Sequence, residues 1–117
     1  MMQGSDTIFD KILAREIPAA IVYEDDDVLA FKDIQPQAKV HVLVIPKRRA
    51  ASLSDLKDQS PSNISAFLIG VSKVAEHLGL LQSGYRVVLN TGRDAGQTVF
   101  YVHAHILGGE TLGTFGS

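Results

Sequence analysis

The chain has 117 residues, 45% of them apolar and 21% charged, a balance that supports one globular domain with a buried core and excludes a disordered chain. Eleven Lys and Arg against thirteen Asp and Glu leave a net charge of −2, which argues against a protein that binds nucleic acid by phosphate neutralisation. With no cysteine, disulfides, thiolate zinc sites and a thiol nucleophile are excluded together.

The opening residues, Met1-Met2-Gln3-Gly4-Ser5-Asp6, lack the basic start and apolar run of a signal peptide. The longest apolar run, residues 40–45, contains His41 and falls far short of the ~18 residues of a membrane span. The expectation is a soluble cytoplasmic protein (nuclear as well in a eukaryote) with neither nucleic acid nor membrane as partner.

Residues 6–16 carry Ile8, Phe9, Ile12 and Leu13 at the spacing of one helical face, with Asp6 as the expected cap and Pro18 as the stop. Residues 21–24 and 28–31 read as strands joined by the acidic turn Asp25-Asp26-Asp27. Asp33-Ile34-Gln35-Pro36-Gln37 is a loop, and Asp33 by itself suits a turn cap. Residues 40–45 are β-branched at nearly every position without alternation, which predicts a strand covered on both faces. Lys47-Arg48-Arg49 reads as its solvated end.

Ile64, Phe67, Leu68, Val71, Val74, Ala75 and Leu78 form one helical stripe over residues 62–78, capped by Ser62 or Asn63 and stopped by Gly79. His77 lies off that stripe and reads as exposed, favourable to the helix dipole. Residues 85–90 and 100–107 are strands, separated by the polar loop Thr91-Gly92-Arg93-Asp94-Ala95-Gly96-Gln97-Thr98, which is either an ordinary hairpin loop or a cradle of amides for an anion. Short connections favour an antiparallel sheet and hence an α+β fold.

Three of the four histidines, His41, His103 and His105, lie in predicted strands. Alternation puts Tyr101, His103 and His105 on one face, successive residues roughly 6.6 Å apart. Spacing alone admits two chemistries. His41, His103 and His105 could hold a metal such as zinc. Alternatively a neutral imidazole could attack phosphorus, with a protonated neighbour and backbone amides stabilising the charge.

Residues 97–109, Gln-Thr-Val-Phe-Tyr-Val-His-Ala-His-Ile-Leu-Gly-Gly, resemble the histidine-triad (HIT) nucleotide-binding family, whose signature is three histidines separated by single hydrophobic residues. Asp6-Thr7-Ile8-Phe9, Glu16-Ile17-Pro18, residues 29–34, Pro36-Gln37-Ala38, residues 41–47 and residues 85–90 resemble its Hint branch in the same register. The resemblance implies a single HIT-like domain over residues 1–117, with a core of about 6–109 and a short tail at 110–117. Its fold would be a five-stranded antiparallel sheet with two helices, and its assembly a homodimer.

The implied activity is that of a purine nucleoside phosphoramidase, hydrolysing adenosine 5′-phosphoramidates or aminoacyl adenylates to AMP through a nucleotidyl-histidine, with no cofactor and no metal. His103 would be the nucleophile, His105 would bind phosphoryl oxygen or manage the leaving group's proton, and His41 would stand behind them. Asn90, Gly96, Gln97 and Thr98 would contact the phosphate or leaving group, with Thr98 also aiding catalysis. Asp33 would take the ribose hydroxyls, and Ile8, Phe9, Phe31 and Ile34 would line a purine slot, although both phenylalanines suit a core equally well.

Tyr101 departs from the pattern, since the family has histidine there. Its backbone carbonyl would still orient His103, while its phenol would change the relay with His41. Restoring histidine at 101 is expected to preserve or raise the rate. Two other readings stand beside this one, a purine nucleotide-binding protein with weak catalysis and a histidine-cluster metal protein.

Overall fold

The computed structural model describes residues 6–114. Five strands form one antiparallel sheet: β1 (Ile21–Glu24), β2 (Val28–Lys32), β3 (Val40–Pro46), β4 (Tyr85–Val88) and β5 (Ala104–Gly108), in the spatial order β1-β2-β3-β5-β4. The helices among the described residues are α1 (Ile8–Leu13), α2 (Leu53–Leu56) and α3 (Pro61–His77). The expected α+β architecture is present, with α2 and a 3-10 turn at Arg93–Ala95 added to the two anticipated helices.

The central strand β3 is buried from His41 to Pro46, as its unbroken apolar run requires. Strand alternation sorts the sheet into two faces. Val28, Ala30, Val42, Val44, Ala104 and Ile106 pack with Phe67, Val71, Val74 and Ala75 of α3. Leu29, Phe31, Leu43 and Ile45 turn the other way and pack with Phe9 and Ile12 of α1 and with Tyr101. The β1–β2 turn is held by Asp25, whose Oδ1 accepts from the amides of Asp27 at 2.8 Å and Val28 at 2.9 Å.

The element ends differ from the sequence expectations for identifiable reasons. Thr7, rather than Asp6, caps α1, because Thr7 and Asp10 form a reciprocal capping box. That helix stops at Leu13, well before Pro18, since Arg15 turns into the left-handed region at φ 63°. Ser60, rather than Ser62 or Asn63, caps α3, with Pro61 in the first turn. Gly79 ends that helix at φ 75° as anticipated.

In the α3 stripe, Leu68 is exposed and Gly70 faces the core in its stead. β4 ends at Val88 rather than Asn90. β5 starts at Ala104 rather than Phe100, because the amide of Val102 donates to the carbonyl of Ala50 at 2.7 Å instead of joining the sheet ladder. No described helix is long and apolar enough to cross a membrane.

Candidate active site

The face opposite α3 opens into a cleft of about 790 Å³. Ile8, Phe9, Phe31, Asp33, Ile34, Asn90, Gly96, Gln97, Thr98, His103 and His105 all line it, so residues from both ends of the described chain meet there. Ile34 is 92% exposed at its mouth. Phe9 and Phe31 are both core and wall: they are buried, their rings meet edge to face at 5.4 Å, and Phe9 also meets His103 edge to face at 4.9 Å.

Sheet register brings the histidines together. Leu43 pairs with His105 and His41 with Leu107, so His41 and His105 are diagonal neighbours on the cleft face. His41 Nε2 and His105 Nδ1 lie 2.9 Å apart. His41 is buried behind the cleft wall, as the resemblance implies.

Backbone groups assign the ring protons. The amide of Gln37 donates to His41 Nδ1 at 3.0 Å, so in the neutral ring the hydrogen sits on Nε2. That hydrogen points to His105 Nδ1, which must accept, leaving the His105 hydrogen on Nε2. Independently, His103 Nδ1 lies 2.7 Å from the carbonyl of Tyr101, which can only accept. Nδ1 of His103 is therefore the donor, and its Nε2 keeps a lone pair.

Burial disfavours the charged form of His103 and His105. Burial pushes His103 below the ordinary imidazole value, against the opposing pull of the Tyr101 carbonyl and Asp33. His105 is pushed down to about 4, by burial first, then by His103 and His41, with Asp33 opposing. The protonated neighbour expected from spacing is thus replaced in the free site by a neutral N–H donor. A neutral imidazole with an unshared pair beside such a donor can attack an electrophilic phosphorus and hydrogen-bond its oxygens.

Asp33 reaches both ways. Its Oδ1 accepts from the Gln35 amide at 2.8 Å, the anticipated turn cap, while Oδ2 lies 3.4 Å from His41 Nε2. The group that converges at metal-ligand spacing among the described residues is Asp33, His41 and His105, rather than His41, His103 and His105. Its chemistry does not suit a metal, because His41 Nε2 carries the hydrogen that Gln37 forces onto it and so offers no lone pair.

Gln97 has a different task from the one expected. Its side-chain amide donates to the carbonyls of Ala51 at 2.8 Å and Val99 at 3.1 Å, and its Oε1 accepts from the Gly92 amide at 2.9 Å. With its polar groups engaged, its side chain clamps the loop that carries Gly96 and Thr98. That loop turns at Gly92 and Gly96, with φ of 82° and 84°, where a side chain would be strained.

The phenol of Tyr101 is also elsewhere than expected: it donates to the carbonyl of Pro46 rather than meeting His41. Gln37 and Pro46 are the partners that sequence reasoning missed. Both act through backbone groups, which leave no mark on residue type.

The HIT domain family model matches residues 14–112. A purine nucleoside phosphoramidase of Escherichia coli is 44% identical over 110 residues, 94% of this chain and 92% of that protein. An uncharacterized HIT-like protein of Synechococcus elongatus is 51% identical over 109 residues, covering 93% and 95%. The structure of a histidine triad protein from Clostridium difficile superimposes with a TM-score of 0.87 at 44% identity, covering 97% of this chain and 99% of that one.

Proposed function

The chain belongs to the HIT domain family, and from that premise we propose that it is a purine nucleoside phosphoramidase, hydrolysing adenosine 5′-phosphoramidates or aminoacyl adenylates. The observation that carries the reading is the tautomer of His103, whose Nδ1–H is engaged by the Tyr101 carbonyl while Nε2 stays unshared in the cleft. The relative that bears this activity in its name supports it.

In the first half-reaction His103 Nε2 forms a bond to the α-phosphorus as the phosphorus–nitrogen bond of a phosphoramidate, or the phosphorus–oxygen bond of an aminoacyl adenylate, breaks. The amine takes a proton from solvent as it leaves, the carboxylate leaves without one, and the nucleotidyl group stays on His103. In the second, water takes the phosphorus from His103 and the nucleoside monophosphate departs, water's hydrogen balancing the one carried off by the amine. His105 Nε2–H binds a phosphoryl oxygen throughout, held in that tautomer by His41.

Asn90, Gly96 and Thr98 serve the phosphate and leaving-group end, Asp33 the ribose diol, and Ile8, Phe9, Phe31 and Ile34 the purine. The homodimer implied by the resemblance belongs to the same reading, with the outer strand β4 and its exposed Val87 as the edge a second copy would meet.

The test is a fluorogenic adenosine 5′-phosphoramidate assayed with wild type and His103→Ala, together with mass spectrometry of the quenched enzyme. Loss of the nucleophile lowers kcat by roughly three orders of magnitude or more, while AMP binding persists. Adenylate is expected on His103 in the wild type. Undiminished turnover in the variant, or adenylate trapped on another residue, would refute the assignment.

A further inference from the structure

Tyr101 occupies the one position where this chain departs from the triad pattern, and its surroundings are built for a phenol. The residue is 1% exposed, and its hydroxyl donates to the carbonyl of Pro46 at 2.5 Å, at the end of β3. The guanidinium of Arg49 stands 5.3 Å from the ring centroid. Arg49 also donates to the carbonyl of Phe100 at 3.0 Å and to Asp10 of α1 at 2.9 Å.

These contacts fall where the sheet gives no support. Residues 99–103 precede β5, and the one amide there tied to the β3 side is that of Val102, bonded to Ala50. That amide and the Tyr101 carbonyl, which holds His103 Nδ1, are two ends of one planar peptide, held at the Val102 end by Ala50 and at the other by the Tyr101 Cα. A shift of that Cα would tilt the peptide about its bond to Ala50, release Nδ1 and allow the hydrogen to move to Nε2. The ring anchored to Pro46 opposes that tilt, because it fixes the Tyr101 Cα from which the carbonyl carbon projects.

Resting on the reading of His103 as nucleophile, we propose that the Tyr101 phenol is a positioning group: by pinning its residue to the Pro46 carbonyl it keeps the Tyr101 carbonyl on His103 Nδ1, and so keeps Nε2 unprotonated towards the cleft. In this chain the first triad position acts from beneath the nucleophile and takes no part in the relay of His41 and His105.

The experiment is Tyr101→Phe in full-length protein labelled with ¹⁵N-histidine, read by imidazole ¹⁵N shifts and by steady-state kinetics. Wild type is expected to show a single His103 tautomer with the hydrogen on Nδ1. The variant shows a mixture, with kcat lower by roughly ten- to a hundredfold, the range a small misplacement costs, and KM nearly unchanged. Its acid limb in kcat/KM moves to lower pH, since the carbonyl that favours the imidazolium has been loosened.

Tyr101→His, with a shorter side chain that cannot span to Pro46, shows the same tautomer mixing, reversing the expectation drawn from sequence that histidine would serve as well or better. Val74→Ala, a core truncation on the buried face of α3, lowers the melting temperature without moving either the tautomer or the limb. A single wild-type tautomer and an unmoved limb in Tyr101→Phe overturn the proposal, whatever its stability. The tautomer spectrum needs no turnover, so it decides the positioning claim even if His103→Ala shows the nucleophile to be another residue.

Discussion

His103 and His105 owe their neutrality to burial more than to any partner, which gives the site a definite pH dependence. On the proposed mechanism, protonating His103 consumes the lone pair that attacks phosphorus, and its pKa lies below the ordinary 6.5. The expected kcat/KM is therefore level through neutral pH and falls only on the acid side of 6.5. A profile already falling above that value would show that another group limits the reaction. The three histidines and Asp33 were legible as candidates for the site from spacing and resemblance, because their chemistry is carried by side-chain type. Their protonation states were not, because the Gln37 amide and the Tyr101 carbonyl set them.

Helix α3 shows how far periodicity reaches. Its 3.6-residue stripe located the buried face, with Phe67, Val71, Val74 and Ala75 in the core. The same stripe included Leu68, which is exposed, and omitted Gly70, which lies where the helix crosses β2. A Cβ on Gly70 would stand 2.5 Å from Val28 Cγ1, and Val28 is itself fully buried and stiff at χ1.

Gly70→Ala gains up to about 1 kcal/mol in helix propensity but forces the helix off the sheet, which typically costs about 1–3 kcal/mol. The expected result is a net loss and a melting temperature lower by a few degrees, read by thermal denaturation. A stabilised variant would mean that α3 and β2 separate without strain. Periodicity cannot supply this detail, since it records which way a helix faces and not how closely its partner approaches.

For the molecule as a whole, the depressed histidines link stability to acid. Between about 6.5, where unfolded imidazoles protonate, and about 4, where His105 does so in the folded state, the unfolded chain binds more protons. Stability therefore falls as pH drops through that window and is fully present above it. Further down, Asp10 adds to the loss: burial works against its charge, yet Arg49 and Thr7 hold it below 3.8. Glu24, held below 4.5 by Lys47 and Arg15, acts the same way. Melting temperatures measured from pH 8 to pH 4 should be level and then decline; a rise on acidification below 6.5 would contradict the buried, neutral state of these rings.

By itself the sequence determined the α+β class, the strand that forms the centre of the sheet, the helix that covers one face, and the residue types that gather in the cleft. Those properties follow from hydrophobic period and from side-chain chemistry, both of which are local. Only the tertiary structure decided that β5 begins after His103, that Gln97 clamps a loop, that Asp33 displaces His103 from the converging carboxylate–histidine group, and that Tyr101 anchors to Pro46. Each of these depends on backbone carbonyls and amides brought close by strand register, and every residue carries the same backbone groups whatever its side chain.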